Sequence, residues 1–214
     1  MKFMSRNKIK EMKKVLSIIM IFFAASFVYG QEIKGLDENV RQEVKEYAKE
    51  KVDEFNGHLS CIASKEASNE VKDNHIYEAL ILFIGQGDKS YDQYGNEIPA
   101  PTMEVSSINR KTGKVRLRTR LLKTYLGDMK SLNYTEVNVS ASEATYISEL
   151  QPDGNGRYKA VLSYAQIFVG KRDSLVVYRD VTKKSIEIYI EVKKYGDKNL
   201  YEILLGNIKV DATE

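Results

Sequence analysis

The chain has 214 residues, with 33 Lys and Arg against 30 Asp and Glu, two His, one Cys and a formal net charge of +3. With only Cys61, an internal disulfide is excluded, and Cys61 is expected to be buried as a small apolar residue. Two histidines and one cysteine do not make a zinc site of the usual His and Cys kind, and His58 and His75 have no ligand-like spacing, so no metal and no cofactor is expected.

The first element is an address. Residues 12–32, "MKKVLSIIMIFFAASFVYGQE", join a basic head to an apolar run of signal-peptide length, shorter than the roughly 20 residues of a spanning helix. Val28 and Gly30 are the small residues before a cut that leaves Gln31 at the new N-terminus. Residues 1–30 are therefore read as a signal peptide, with Met12 a complete start by itself, and residues 31–214 as one domain. The alternative, a retained N-terminal anchor, stays open. Removing residues 1–30 leaves 27 basic against 29 acidic side chains. The exported chain, periplasmic or extracellular, is thus slightly acidic, which gives no reason to expect nucleic-acid binding.

Asp37 is placed to cap a helix whose face is Leu36, Val40, Val44, Tyr47, Ala48, Val52 and Phe55, recurring at three and four residues. Residues 57–74 are polar and small, with a short helical turn around Leu59, Cys61 and Ile62. Asn74 is expected to cap a helix over residues 75–84 that is apolar nearly all round and so buried, stopped by Gly85 and Gly87. A tight turn at residues 94–97 and Pro99 with Pro101 precede a short strand over residues 103–108. Leu121, Leu122, Tyr125, Leu126, Met129 and Leu132 return to helical spacing, and Gly127 inside that helix implies a close packing contact. Four long strands close the chain: one from Tyr134 through Val137 and Val139, then residues 158–169, 175–192 and 201–210.

Two helices, a short hairpin, one helix and four long antiparallel strands make an α+β order. It resembles the NTF2-like (cystatin-like) fold, a curved antiparallel sheet of about six strands wrapped around three helices. "SYAQIFVG", "YRDVTKKSIEIYIE" and "LLGNIKV" are similar to stretches of small exported NTF2-like proteins of Bacteroidetes, most of which have no assigned activity. The resemblance implies a fold and a concave cavity, not a reaction.

Four features bear chemistry. In "RKTGKVRLRTRLLK", residues 110–123, a helical reading puts Arg116, Arg120 and Lys123 on one stripe, a docking face for an anionic glycan, a lipid head group or an acidic partner. Tyr125, Tyr164, Gln166, Phe168 and Tyr178 are candidates for the wall of the cavity, an apolar surface with a few polar groups. Asp180 shares a strand face with Tyr178 and is the candidate base, in the manner of ketosteroid isomerase relatives of this fold. The "DSL" at residues 173–175 resembles the O-glycosylation acceptor of Bacteroidetes, with Ser174 as the site.

No phosphate-cradling glycine loop, nucleophile elbow or calcium loop occurs. The expected function is an exported, non-enzymatic binding or accessory module of the cell envelope. It docks an envelope protein, an anionic group, a small ligand or a second copy through its sheet, pocket or basic segment. The alternatives are a small pocket enzyme of the ketosteroid-isomerase kind and a membrane-anchored NTF2-like subunit of an envelope assembly.

Overall fold

The computed structural model describes residues 37–92, 95–109, 111–142, 146–153, 157–195 and 198–213. The leader stretch and Arg110 lie outside the described residues. Among the described residues, no helix is long and apolar enough to cross a membrane.

Helix α1 (Glu38–Ala63) starts after Asp37, whose side chain makes no capping bond. Val44, Ala48, Val52 and Phe55 are buried as their spacing predicts, and the same face continues through Leu59 and Ile62. Tyr47 departs from the expected face and is 51% exposed. The polar stretch after residue 56 is not a loop, because those two apolar residues extend the helical stripe by two turns. Cys61 is half-buried. Helix α2 (Asn69–Ile81) begins earlier than expected. Ser68, not Asn74, is its cap, its hydroxyl accepting from the Val71 N–H. Nor is α2 buried all round, since Tyr77 and Ile81 face solvent. Gly85 and Gly87 end this region at φ +65° and +84°, the left-handed region that a glycine enters without strain.

Two short strands, β1 (Ser90–Tyr91) and β2 (Glu97–Ile98), pair with each other. The main sheet contains β3 (Thr102–Ile108), β4 (Val115–Leu121), β5 (Glu136–Ala141), β8 (Arg157–Arg172), β9 (Leu175–Tyr195) and β10 (Lys198–Thr213). Its order is β4-β3-β10-β9-β8-β5, with the short β6 (Tyr146–Ile147) and β7 (Gln151–Pro152) also on β8. All pairings in it are antiparallel except β3 with β10, which run parallel. Asn207 secures that junction: its Oδ1 accepts from the Thr102 N–H at 3.0 Å and the Thr102 hydroxyl at 2.9 Å. Helix α3 (Leu122–Lys130) follows β4 without a turn between them.

Three helices with one large, mostly antiparallel sheet make the α+β order that the sequence predicts. The core lies between the helices and one face of the sheet. Ile186, Ile188 and Ile190 of β9 and Leu162 of β8 are fully buried there, as are Val52, Phe55 and Leu59 of α1 and Leu126 of α3. Phe55 meets Phe83 edge to face at 4.9 Å. Burying side chains of this size contributes about 1.5–3 kcal/mol each.

Gly127 does not make the close contact its position in α3 implied: a methyl group there would meet nothing within 4 Å. Its flexibility is an uncompensated cost to the helix. Gly127→Ala is expected to raise unfolding stability by about 1 kcal/mol in urea melts, and a destabilised variant would contradict the open environment.

Candidate functional site

Strand β9 sets the site. Alternation puts Asp180, Thr182 and Lys184 on the same face as Ile186, Ile188 and Ile190, directed towards the helices. All three polar residues are buried, Lys184 to 3% exposure. With Val105 and Ser107 of β3, Gln166 and Phe168 of β8, and Tyr125 and Met129 of α3, they line a pocket of about 300 Å³. Tyr134, just before β5, completes its wall.

The Tyr178 hydroxyl donates to Asp180 Oδ2 at 2.6 Å. Burial raises the Asp180 carboxyl above the ordinary carboxylate range, while that hydrogen bond and the charge of Lys184 pull it back. Burial lowers the Lys184 ammonium to about 8, with the Asp180 charge opposing the fall. Lys184 Nζ lies 3.6 Å from Met103 Sδ and 5.9 Å from the centre of the Tyr125 ring. No carboxylate among the described residues is within ion-pair distance of it. Four residues apart on an extended strand, the Asp180 and Lys184 Cα atoms are separated by roughly 13 Å. Burial and the neighbouring Asp180 charge raise the phenol of Tyr125 above its ordinary value, so its hydroxyl is neutral and a donor.

The wall is a ladder of rings. Phe168 meets Tyr134 at 5.9 Å and Tyr178 at 5.8 Å, both edge to face. The Tyr134 ring crosses β8 at Gly170, where a Cβ would stand 2.7 Å from it. Gln166 donates to Asn56 Oδ1 of α1 at 3.4 Å, which orients its amide.

Of the pocket residues expected from sequence, Tyr125, Gln166, Phe168 and Tyr178 line the cavity, and Asp180 joins them. Tyr164 does not line it. It is packed deeper, 1% exposed, and its hydroxyl has no hydrogen-bond partner. Lys184 escaped sequence reasoning, although its place four residues after Asp180 on a strand put it on the same face.

The helical basic stripe is overturned. Arg116 and Arg120 lie on β4 and Lys123 on α3. A strand has period two, so Arg116, Arg118 and Arg120 share a face. They stand opposite Ser107, Val105 and Met103 of β3, two of which line the pocket. Arg120 is paired with Asp128, and Lys123 with Asp88 at 2.6 Å. Arg116 and Arg118 are exposed, extending the pocket's side of the sheet to its edge. Ser174 is exposed in the β8–β9 turn, where it and Asp173 have positive φ.

A larger cavity, about 380 Å³, lies beside β1 and β2, with Arg157 and Glu191 in its wall. It lacks the buried acid and base of the Asp180 pocket, which for that reason is the stronger candidate. Elsewhere, the two histidines do meet: the Nδ1 atoms of His58 and His75 are 3.0 Å apart, between α1 and α2.

No family model matches the chain, and no curated protein does. Among solved structures, the chain is similar to a scytalone dehydratase-like protein of Novosphingobium aromaticivorans. The identity is 11% and the TM-score 0.40, over 82% of this chain and 90% of that one. A likeness this distant carries no argument about the pocket.

Lys184 has a measurable signature. Between its folded value of about 8 and the ordinary 10.5, the unfolded chain holds the extra proton, so this group makes stability rise with pH across that window. Lys184→Met is expected to flatten the rise in urea midpoints between those two values. An unchanged profile would mean that the ammonium is hydrated.

Proposed function

We propose that the Asp180–Lys184 pocket binds a small molecule with an apolar, ring-sized body and a carbonyl, carboxylate or phenolate oxygen. Lys184 takes that oxygen at one end, and the Tyr134, Phe168 and Tyr178 rings hold the body. The observation that supports this reading is a buried ammonium with no carboxylate within ion-pair distance, facing an open cavity. A charge buried without a close partner is costly, and a ligand oxyanion offsets that cost. Arg116 and Arg118 add positive potential on the same side of the sheet and steer an anionic ligand inward.

Asp180 favours a second reading, as a proton-transfer catalyst. A desolvated carboxyl oriented by the Tyr178 hydroxyl has the character of a general base. It would take a proton from the carbon next to a bound carbonyl, and Lys184 would stabilise the charge developing on the carbonyl oxygen. This is the chemistry of isomerases and dehydratases. With the leader removed to leave Gln31, the protein works outside the cytoplasm, and the intact mass of chain purified from its own cells checks that start.

Titration with 4-hydroxybenzoate followed by NMR tests the binding reading. Lys184→Met is expected to weaken binding by about tenfold or more. Charge reversal at Arg116 and Arg118 is expected to weaken it chiefly at low salt. Deuterium uptake at the α-carbon of a small aryl ketone tests the catalytic reading, with Asp180→Asn expected to slow it by about a hundredfold or more. Binding indifferent to Lys184 removes the first reading, and exchange indifferent to Asp180 removes the second.

A further inference from the structure

We propose that His58, His75 and Glu78 form a binding site for a divalent cation of the zinc type, which pins α1 to α2. The two helices form a hairpin. His58 stands five residues before the end of α1 and His75 six residues after the start of α2, so the hairpin brings them level. Glu78 follows His75 by three residues, one turn further along the same face of α2.

The donor atoms already have the size of a coordination triangle. The two Nδ1 atoms are 3.0 Å apart, and Glu78 Oε2 is 3.6 Å from His58 Nδ1 and 3.3 Å from His75 Nδ1. Zinc binds nitrogen and carboxylate oxygen at about 2.0–2.2 Å in a tetrahedron, which sets ligand edges of roughly 3.3–3.5 Å. The observed triangle brackets that length without any backbone movement.

A hydrogen bond between the imidazoles explains the site less well. One proton joins the two nitrogens and leaves the carboxylate oxygen converging on the same point. His58 Nε2 is meanwhile buried with no partner, so the pair is not part of a closed network. A cation meets all three lone pairs at once. Two imidazoles and a single carboxylate suit zinc, copper or nickel better than magnesium or calcium, which need more oxygen ligands. Glu78 is exposed, leaving room for water in the fourth position. Glu54, one turn before His58, adds negative potential although it is paired with Lys51 at 2.9 Å.

Isothermal titration of the tag-free chain with zinc chloride, in buffer without chelator, tests the site. Expected are one zinc per chain, a higher melting temperature with zinc, and reversal by EDTA, since a cation that binds only the folded hairpin stabilises it. Glu78→Gln, on an exposed side chain that does not threaten folding, is expected to weaken binding by about tenfold or more. His75→Gln is expected to abolish the melting shift, with the metal-free melt confirming that the variant folds. Zinc binding unchanged in both variants, or a wild-type melt that zinc does not move, overturns the proposal.

Discussion

One face of strand β9 carries the structure. From Asp180 to Ile190 the residues directed at the helices are first Asp, Thr and Lys and then three isoleucines. The isoleucines supply the floor of the hydrophobic core, which α1 and α3 cover. Alternation leaves a strand no independent choice of face, so Lys184, Thr182 and Asp180 are directed the same way as the isoleucines. The buried charges at that end follow from the register that builds the core.

The protein tolerates those charges by arranging their surroundings. Tyr178 gives Asp180 a short hydrogen bond, and the Tyr125 ring and Met103 sulfur lie against the Lys184 ammonium. These contacts lessen the penalty but do not remove it, as the depressed Lys184 value shows. Groups buried at a stability cost and left facing a cavity are better explained by a ligand than by folding. The ring ladder from Tyr134 to Tyr178 serves the same end. It needs Gly170 beneath Tyr134, so the backbone of β8 is adapted to the pocket wall. The His58–His75 pair is a separate matter, set by the helical hairpin and not by the sheet.

The fold was legible where the hydrophobic period was clean. Val44, Ala48, Val52 and Phe55 announce α1, and the long alternating runs of β8 to β10 announce the sheet and the inward side of Gln166, Phe168 and Asp180. Reading failed where two periods meet. In "VRLRTRLLKTYLGDMK" a strand passes directly into a helix with no glycine or proline to mark the change, so the period-two arginines were counted on a helical stripe. Arg118, on the shared strand face, was missed for that reason. The parallel pairing of β3 with β10 depends on contacts about a hundred residues apart, such as Thr102 with Asn207, which no local pattern encodes. His58 and His75 have no ligand-like spacing in the sequence, and it is the hairpin of α1 with α2, which starts at Asn69, that brings them together.

A site-resolved NMR titration of Lys184, using ¹³C-methylated lysines and Lys184→Met to assign the signal, tests the central claim most directly. The account predicts a midpoint near 8, moving upward when a small carboxylate enters the pocket. A midpoint at the ordinary 10.5, indifferent to carboxylate, would mean that Lys184 is hydrated and that no charge waits in the cavity for a ligand.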